Sequence, residues 1–192
     1  MKARLALLAT MCVVTVLNAC GNIASIKATV PTFVDTLSLW SLSGTPPSYP
    51  SAISITTRQI VRVDGFAGFD IALDIDANGR PVVYPVKLVV AVPGGTRAVG
   101  LQRVSGNFET VLEAPKTGFE TDSALVMALG EVVAIEAPHN GSGDICQFSI
   151  SPNIYAKIAV DSVNLASRVI YIRMGFDPNC GFRSFAAGIP TS

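Results

Sequence analysis

The chain has 192 residues, of which 49% are hydrophobic and only 15% charged, and its 14 Lys and Arg balance its 14 Asp and Glu. This apolar composition excludes a disordered chain, and without a basic surplus a nucleic-acid-binding protein is not expected. Val, Ile, Thr, Gly and Pro recur throughout, which favours strands and turns over helices.

The first twenty residues have the pattern of a secretory signal. Lys2 and Arg4 give a positive start. The uncharged run 5–17 is too short to span a bilayer, which takes about 20 apolar residues. A buried N-terminal helix is the alternative, but a basic start before a short apolar run is typical of a signal peptide. Removal of residues 1–19, which hold two cations and no acid, would leave 173 residues with a net charge of −2.

The end of the apolar run, Leu17-Asn18-Ala19-Cys20, resembles the lipobox of bacterial lipoproteins. The resemblance implies cleavage after Ala19, diacylglycerol on the Cys20 thiol and acylation of the new amino terminus. Because stable anchoring takes more than one acyl chain, this modification would hold the protein at a membrane. In the best-known sorting rule, Asp after the cysteine retains lipoproteins in the inner membrane. Gly21 therefore favours the outer membrane, with the domain facing the periplasm or the cell surface.

The rest of the chain divides into a lipidated N-terminus and tether, residues 20–34, and one β-rich domain, residues 35–192. A domain of this length can bury a sizeable core. Its first strand is predicted over 35–43, where apolar and polar residues alternate. The phase of the alternation slips between Leu39 and Trp40, which predicts a β-bulge there.

A loop and a hairpin are predicted next. Residues 44–50, "GTPPSYP", form a loop because two consecutive prolines cannot pair inside a sheet. Alternation resumes over 53–63, which predicts a second strand. The hairpin covers 69–92, with its turn at Asn78-Gly79, since both residues tolerate positive φ.

Further strands are predicted along the second half of the chain. They cover 99–104, two short stretches of 123–137 that meet near Gly130, and a hairpin formed by 154–160 and 169–176. Roughly eight to ten short strands predict an all-β fold, an antiparallel β-sandwich or an open barrel. An immunoglobulin-like Greek key is the sandwich topology expected on general frequency.

The four cysteines separate by position. Cys12 lies in the signal and Cys20 would carry lipid, which leaves Cys146 and Cys180. An even pair in an oxidising compartment predicts a disulfide. Two free core cysteines and a metal site are the alternatives, although the only histidine is His139 and no Cys-x-x-Cys pair is present.

The stretch "DIDANG" contains a weak candidate for calcium binding. Asp74, Asp76 and Asn78 stand at positions one, three and five of a loop like that of an EF-hand. Such a loop needs a bidentate carboxylate at position twelve, where this chain has Pro85. A polar hairpin turn is therefore the favoured interpretation, and no other metal or cofactor is expected.

No catalytic residue is assigned. The segment 138–144, "PHNGSGD", is predicted to be a flexible loop, so His139 is expected to be solvated. No nucleophile elbow of the Gly-x-Ser-x-Gly type accompanies it. Glu109, Glu113 and Glu120 are expected to form a solvated edge rather than a pair of catalytic carboxylates.

Beyond the lipobox, the chain from Asp35 to about Pro190 is similar to a set of uncharacterised β-rich bacterial lipoproteins. The stretches that carry the resemblance are "LSGTPPSYPSA", "FDIALDIDANGRPVVYPVKLV" and "DPNCGFRS". The resemblance implies a recurring β domain and brings with it neither an activity nor site residues.

These observations predict a non-enzymatic binding or structural module of the cell envelope, attached to the membrane by its N-terminal lipid and paired with an envelope protein. One alternative is a lipid-anchored hydrolase or carbohydrate-active enzyme, which requires a cleft where titratable groups converge. Others are an accessory subunit of a membrane complex and a carrier of apolar cargo, which requires a cavity between the sheets.

Overall fold

The computed structural model describes residues 27–64, 68–90, 97–139, 141–149 and 151–191, and this part of the chain is all-β. The predicted signal peptide, the predicted lipobox and Cys20 lie outside the described residues. The strands are β1 (Phe33–Trp40), β2 (Ala52–Ser54), β3 (Gln59–Val61), β4 (Ile71–Ile75), β5 (Pro81–Pro85), β6 (Gly100–Val104), β7 (Leu125–Val126), β8 (Val132–Pro138), β9 (Asn153–Asn164) and β10 (Val169–Asp177), and a four-residue helix, α1, covers Val86–Val89.

The strands form two antiparallel five-stranded sheets that pack face to face as a sandwich and do not close into a barrel. The first sheet has the order β1-β10-β9-β8-β6, and the second has the order β3-β2-β4-β5-β7. We call the end of the sandwich where β1 begins the near end, and the end where β1 finishes the far end. The junction of β8 with β9 lies at the near end, whereas the turns of the β4–β5 and β9–β10 hairpins lie at the far end.

The hairpin turn at Asn78-Gly79 is confirmed. Gly79 has a φ of 78°, and β4 pairs with β5 from Ile75↔Pro81 to Ile71↔Pro85. The return strand is shorter than the sequence predicts, because it ends at Pro85 and continues as α1. Beyond that point β4 has no residue left to pair with, and the amide of Val86 instead donates to the carbonyl of Asp70 at 2.9 Å.

Two local predictions near the start of the domain are wrong. β1 keeps an unbroken register with β10 up to Trp40, so no bulge follows Leu39. The irregularity lies between β10 and β9, where the register shifts between Tyr171 and Ile172. The stretch 53–63 is also not one strand, because a turn with Arg58 at a φ of 55° separates β2 from β3.

The two strands predicted within 123–137 are present but belong to different sheets. β7 is the edge strand of the second sheet, and β8 lies inside the first sheet. The chain crosses between the layers at Gly130, which has a φ of 77°, a left-handed conformation that favours glycine. This crossing places the 126–131 segment at the far end, over the gap between the sheets.

The main core fills the space between the sheets. Side chains of β2, β4 and β5 pack there against alternate residues of β8, β9 and β10. Burying such side chains supplies most of the free energy that favours the fold, at about 25 cal/mol per Å² of apolar surface. Ile53, Leu73, Ile135 and Ile158 are all completely buried in this layer.

A second apolar cluster covers the outer face of the first sheet, which explains why β9 is buried on both faces from 154 to 160. At its centre Lys157 is 2% exposed, and its ammonium donates to the carbonyls of Phe108 and Val111 and lies 4.3 Å from the Phe108 ring centroid. Burial lowers the pKa of Lys157. Gly175 provides the space, because a Cβ there would lie 2.8 Å from the lysine Cε.

A disulfide joins Cys146 to Cys180 at the near end, with an S–S distance of 2.01 Å and a Cα–Cα distance of 5.7 Å. The N-terminal segment reaches the same place. The Asn179 side chain accepts from the amides of Thr29 and Val30 at 3.0 and 3.1 Å and donates to the Val30 carbonyl at 2.8 Å. The disulfide and the emerging N-terminal chain are therefore adjacent.

Candidate functional site

The far end of the sandwich contains an open cleft of about 700 Å³. Its walls come from the turn of the β4–β5 hairpin, residues 126–131 and the end of the β9–β10 hairpin, together with Arg103 of β6. Leu129 and Leu165 line it while remaining 60% and 58% exposed, and Met127 beneath them is buried. Two exposed leucines that face one concave surface are an apolar feature of the kind that binds a partner.

The charged groups of this cleft are paired with one another. Arg103 Nε donates to Glu131 Oε1 at 2.6 Å, and the other oxygen of Glu131 accepts from the amide of Ala128 at 2.9 Å. Arg80 Nε donates to Asp76 Oδ2 at 2.8 Å. The rim therefore carries balanced, solvent-exposed ion pairs around an apolar centre.

Two smaller clefts continue this surface. One of about 440 Å³ shares Arg103 and Val126 with the main cleft, and one of about 390 Å³ shares Gly79 and Leu165 with it. The concave surface consequently extends across the far end, from the hairpin turns to the edge of β6.

The near end contains a cluster of ionisable groups, formed by the buried Asp70 and His139 and the half-buried Arg97. Asp70 is 0% exposed, its Oδ1 accepts from Arg97 at 2.8 Å, and its Oδ2 accepts from the amide of Ile55 at 2.8 Å. His139 Nε2 lies 3.1 Å from the same Oδ1 without hydrogen-bond alignment, and Nδ1 lies 3.3 Å from Arg97 Nη1. Because Asp70 immediately precedes β4 of the second sheet and His139 follows β8 of the first, this cluster joins the two sheets.

The prediction of a solvated His139 is wrong, since the residue is only 3% exposed. Its amide donates to the carbonyl of Pro152 at 2.7 Å, and its carbonyl accepts from the amide of Cys146 at 2.8 Å. These two bonds hold the backbone as an extension of β8 and keep the ring between the sheets. The Gly- and Ser-rich composition is that of the residues that follow His139. His139 itself still continues β8.

The predicted acidic edge is exposed. Glu109 and Glu113 are paired with Arg173 and Arg183, respectively, and their side chains are 65% and 63% exposed. Glu120, also exposed, joins β6 through its backbone. These glutamates therefore connect the segment that covers the outer face of the first sheet to its neighbours. Neither Glu109 nor Glu113 lines the far-end cleft.

The first of the calcium candidates, Asp74, faces the loop that follows β1. Its Oδ1 accepts from the amide and hydroxyl of Ser43 at 3.0 and 2.8 Å and from the hydroxyl of Ser41. Burial alone would raise the pKa of Asp74, but these hydrogen bonds outweigh it and lower the pKa. Arg168 Nη2 lies 3.6 Å away, so a cation already faces this carboxylate.

The carboxylate of Asp76 likewise already has partners, and they lie within the turn itself. It accepts from the amides of Asn78 and Arg80 at 2.8 Å and forms an ion pair with the Arg80 guanidinium. These hydrogen bonds and the guanidinium lower the pKa of Asp76. The geometry is that of a hairpin turn, and over the described residues no group of three or more His, Cys, Asp or Glu side chains is placed to hold a metal ion.

Two buried titratable groups gave no recognisable signal in the sequence. Tyr155 donates to Glu136 Oε2 at 2.8 Å on the neighbouring strand, and burial together with that carboxylate raises its pKa to about 12. Asp177 is 0% exposed, and its Oδ1 accepts from the amide and side chain of Asn179 at 2.9 and 2.8 Å. Its Oδ2 is buried, and among the described residues it has no hydrogen-bond partner.

A pH-dependent stability follows from Asp177. Burial raises the pKa of this carboxyl, and the hydrogen bonds from Asn179 offset the shift only in part. The folded chain then keeps a proton that the unfolded chain loses above about pH 3.9, so wild-type stability falls as pH rises through that window. Relative to wild type, Asp177→Asn should therefore gain stability from about pH 4 upward, until the pH exceeds the folded pKa.

The measurement is urea unfolding of both proteins across this pH range. Asp122→Asn is the control, because Lys87 lowers the pKa of the exposed Asp122 and its dependence should run in the opposite direction. A constant difference between wild type and Asp177→Asn at every pH would contradict the assignment.

Neither a protein-family model nor a curated protein matches this chain. Over the part of the chain that the structure describes, no helix has the length and apolarity needed to cross a membrane. The function therefore has to be argued from the two ends of the sandwich.

Proposed function

We propose that this protein is a lipid-anchored module of the cell envelope that binds a partner through its far-end cleft. Cys20 would carry the lipid in the outer membrane, and the β domain would act without catalysis. The observation that carries the proposal is the position of the cleft, at the end of the sandwich opposite to the emerging N-terminal chain.

The geometry relates the predicted anchor to the cleft. Residues 20–27 can span at most about 25 Å, so an acylated Cys20 keeps the near end close to the membrane surface. β9 has 12 residues, and at about 3.3 Å per residue it extends roughly 40 Å toward the far end. The cleft would thus be held well away from the lipid, where a second envelope component can reach it.

The chemistry of the cleft indicates the kind of partner. An aliphatic or aromatic side chain of the partner would pack between Leu129 and Leu165 and bury apolar surface, the usual source of binding free energy. The paired charges of Arg103 and Glu131 would remain hydrated at the rim and would orient a polypeptide backbone. An extended segment of an envelope protein satisfies both requirements.

The enzymatic alternative receives less support. The buried histidine–carboxylate pair, His139 and Asp70, lies at the near end, and the cleft lies at the far end. A hydrolase needs a nucleophile or an activated water beside its base and open to substrate, and His139 is only 3% exposed. The carrier alternative is not favoured either, since the space between the sheets is occupied by fully buried side chains.

Site-specific photocrosslinking in native membranes tests the proposed cleft. A photoreactive residue in place of Leu165 should give a discrete adduct that weakens when Leu129→Glu places a charge in the cleft. The matched control is a photoreactive residue in place of Leu112, an exposed leucine in the segment that covers the outer face of the first sheet. No adduct from position 165, or the same adduct from both positions, would contradict the proposal.

A further inference from the structure

We propose that the loop 141–149 at the near end contacts the lipid bilayer through Phe148 and Ile145. The inference rests on the proposed lipid anchor and adds an orientation to it. The domain would stand on the membrane through this loop, so that the far-end cleft is directed away from the lipid.

The exposure of the loop's apolar side chains is the first observation. Phe148 is 94% exposed, the highest value of any large apolar side chain among the described residues, and Ile145 is 54% exposed. Cys146 lies between them and is 1% exposed, because its disulfide to Cys180 pins the loop to the sandwich. The loop is thus fixed at its centre, with two large apolar groups presented to the outside.

Several backbone amides of the loop are already hydrogen-bonded to other groups of the protein. The amides of Cys146, Gln147 and Ser149 donate to the carbonyls of residues 139, 144 and 146, respectively, at 2.8, 3.1 and 3.0 Å. The amide of Gly143 donates to the Gln147 side chain at 2.7 Å. Unpaired backbone groups are costly in an apolar medium, and these bonds remove much of that cost at the membrane interface.

The position of the loop identifies the lipid as its partner. Asn179, next to the disulfide, holds Val30 of the N-terminal segment, and the amide of Thr32 donates to the carbonyl of Gly188 at 3.0 Å. Two more partly or largely exposed apolar residues, Val30 and Ile189, therefore lie at this end. Because residues 20–27 reach at most about 25 Å, an acylated Cys20 would bring this apolar surface to the bilayer.

The contact would orient the domain, whereas most of the membrane affinity would come from the lipid anchor. Acyl chains supply membrane affinity, at about 0.8 kcal/mol for each buried CH₂ group. Attachment through the N-terminal lipid alone leaves the direction of the domain undefined. An aromatic side chain at the interface provides a second point of contact, since aromatic rings are favoured at the level of the lipid headgroups. Two points of contact restrict how the domain can tilt.

Single-tryptophan variants of the full acylated chain test this orientation. The chain has one tryptophan, Trp40, at the far end of β1. In a Trp40→Phe background, Phe148→Trp places the reporter on the loop, and Leu165→Trp is a matched exposed control at the far end. Each protein is incorporated into vesicles of phosphatidylethanolamine and phosphatidylglycerol with or without brominated acyl chains, which quench tryptophan on contact.

Bromine should reduce the emission of the tryptophan at position 148 at least about twofold, as expected for a ring at the lipid interface, and leave that at position 165 nearly unchanged. Equal emission with and without bromine from position 148, in protein that stays attached to the vesicles, would overturn the loop contact and leave the anchor intact. Equal quenching at both positions would also overturn it. So would a concentration-dependent blue shift at position 148 in lipid-free detergent, because a second copy would then be the partner. Failure of the anchor itself would appear separately, as protein that never associates with vesicles.

Discussion

Replacing Asp70 with alanine is expected to lower the free energy of unfolding by about 3–5 kcal/mol at neutral pH. Asp70 is completely buried and supplies the acceptor for the amide of Ile55 and the counter-charge of Arg97. Alanine would leave a buried amide without an acceptor and a guanidinium without its carboxylate. The amide of Ile55 would lose its acceptor inside the core, whereas the guanidinium of Arg97, whose side chain is 27% exposed, would be partly hydrated.

Comparison with two other variants separates the contributions at this site. Asp70→Asn keeps an oxygen for the amide of Ile55, so it should cost less than alanine, and the difference between the two reports the hydrogen bond. Asp122→Ala removes an exposed carboxylate that is 82% accessible and paired with Lys87, and it should have a much smaller effect, because water screens exposed ion pairs. Urea unfolding followed by Trp40 fluorescence gives all three values. Equal costs for Asp70→Ala and Asp122→Ala would contradict the structural role of the buried cluster.

Removal of the disulfide should have the second-largest effect. Cys146 and Cys180 are separated by 34 positions. A closed loop of that size restricts the unfolded chain enough to contribute roughly 3–4 kcal/mol in the chain-entropy treatment. The double variant Cys146→Ala/Cys180→Ala should therefore unfold at a clearly lower urea concentration than the oxidised wild type.

The wild-type protein in the presence of a thiol reductant is the control for this variant. It should move toward the same midpoint, because reduction removes the same constraint without a change of sequence. An unfolding midpoint unaffected by either treatment would show that the bond does not limit the unfolded chain as argued.

Local signals were sufficient for much of the fold. The pair Asn78-Gly79 between alternating runs correctly predicts the β4–β5 hairpin, because the turn conformation depends on those two residues. Alternation likewise locates β9 and β10, although β9 extends further than predicted, to Asn164. The oxidising compartment expected from the signal pattern leads to the Cys146–Cys180 pair that the structure contains.

Contacts between distant segments were beyond the reach of the sequence. The burial of His139 depends on Asp70 and Arg97, which are far from it in the chain. The far-end cleft is similarly assembled from four separate segments, and neither Leu129 nor Leu165 is unusual in its own surroundings. Contacts between distant residues form only in the folded chain, so no local sequence pattern predicts them.

The exposed loop at the near end does have one local signal in the sequence. Ile145 and Phe148 flank Cys146 in a stretch otherwise rich in Gly, Ser and Asn. Large apolar residues beside a disulfide cysteine are presented on a fixed loop, whereas a flexible polar loop would not hold them in one place. That combination is the sequence feature from which an exposed apolar contact could have been predicted.

The two ends of the sandwich carry different features. The near end joins the N-terminal chain, the disulfide and the exposed Phe148, and the far end carries the cleft between Leu129 and Leu165. Anchoring one end and binding with the other is the arrangement that a membrane-attached binding module requires.

The most direct test of this account is the mass of the amino-terminal peptide of the protein purified from bacterial membranes. The account predicts a chain that begins at Cys20 and carries a diacylglycerol thioether and an N-linked acyl group. A chain that begins at Met1, or one with an unmodified Cys20 thiol, would contradict it.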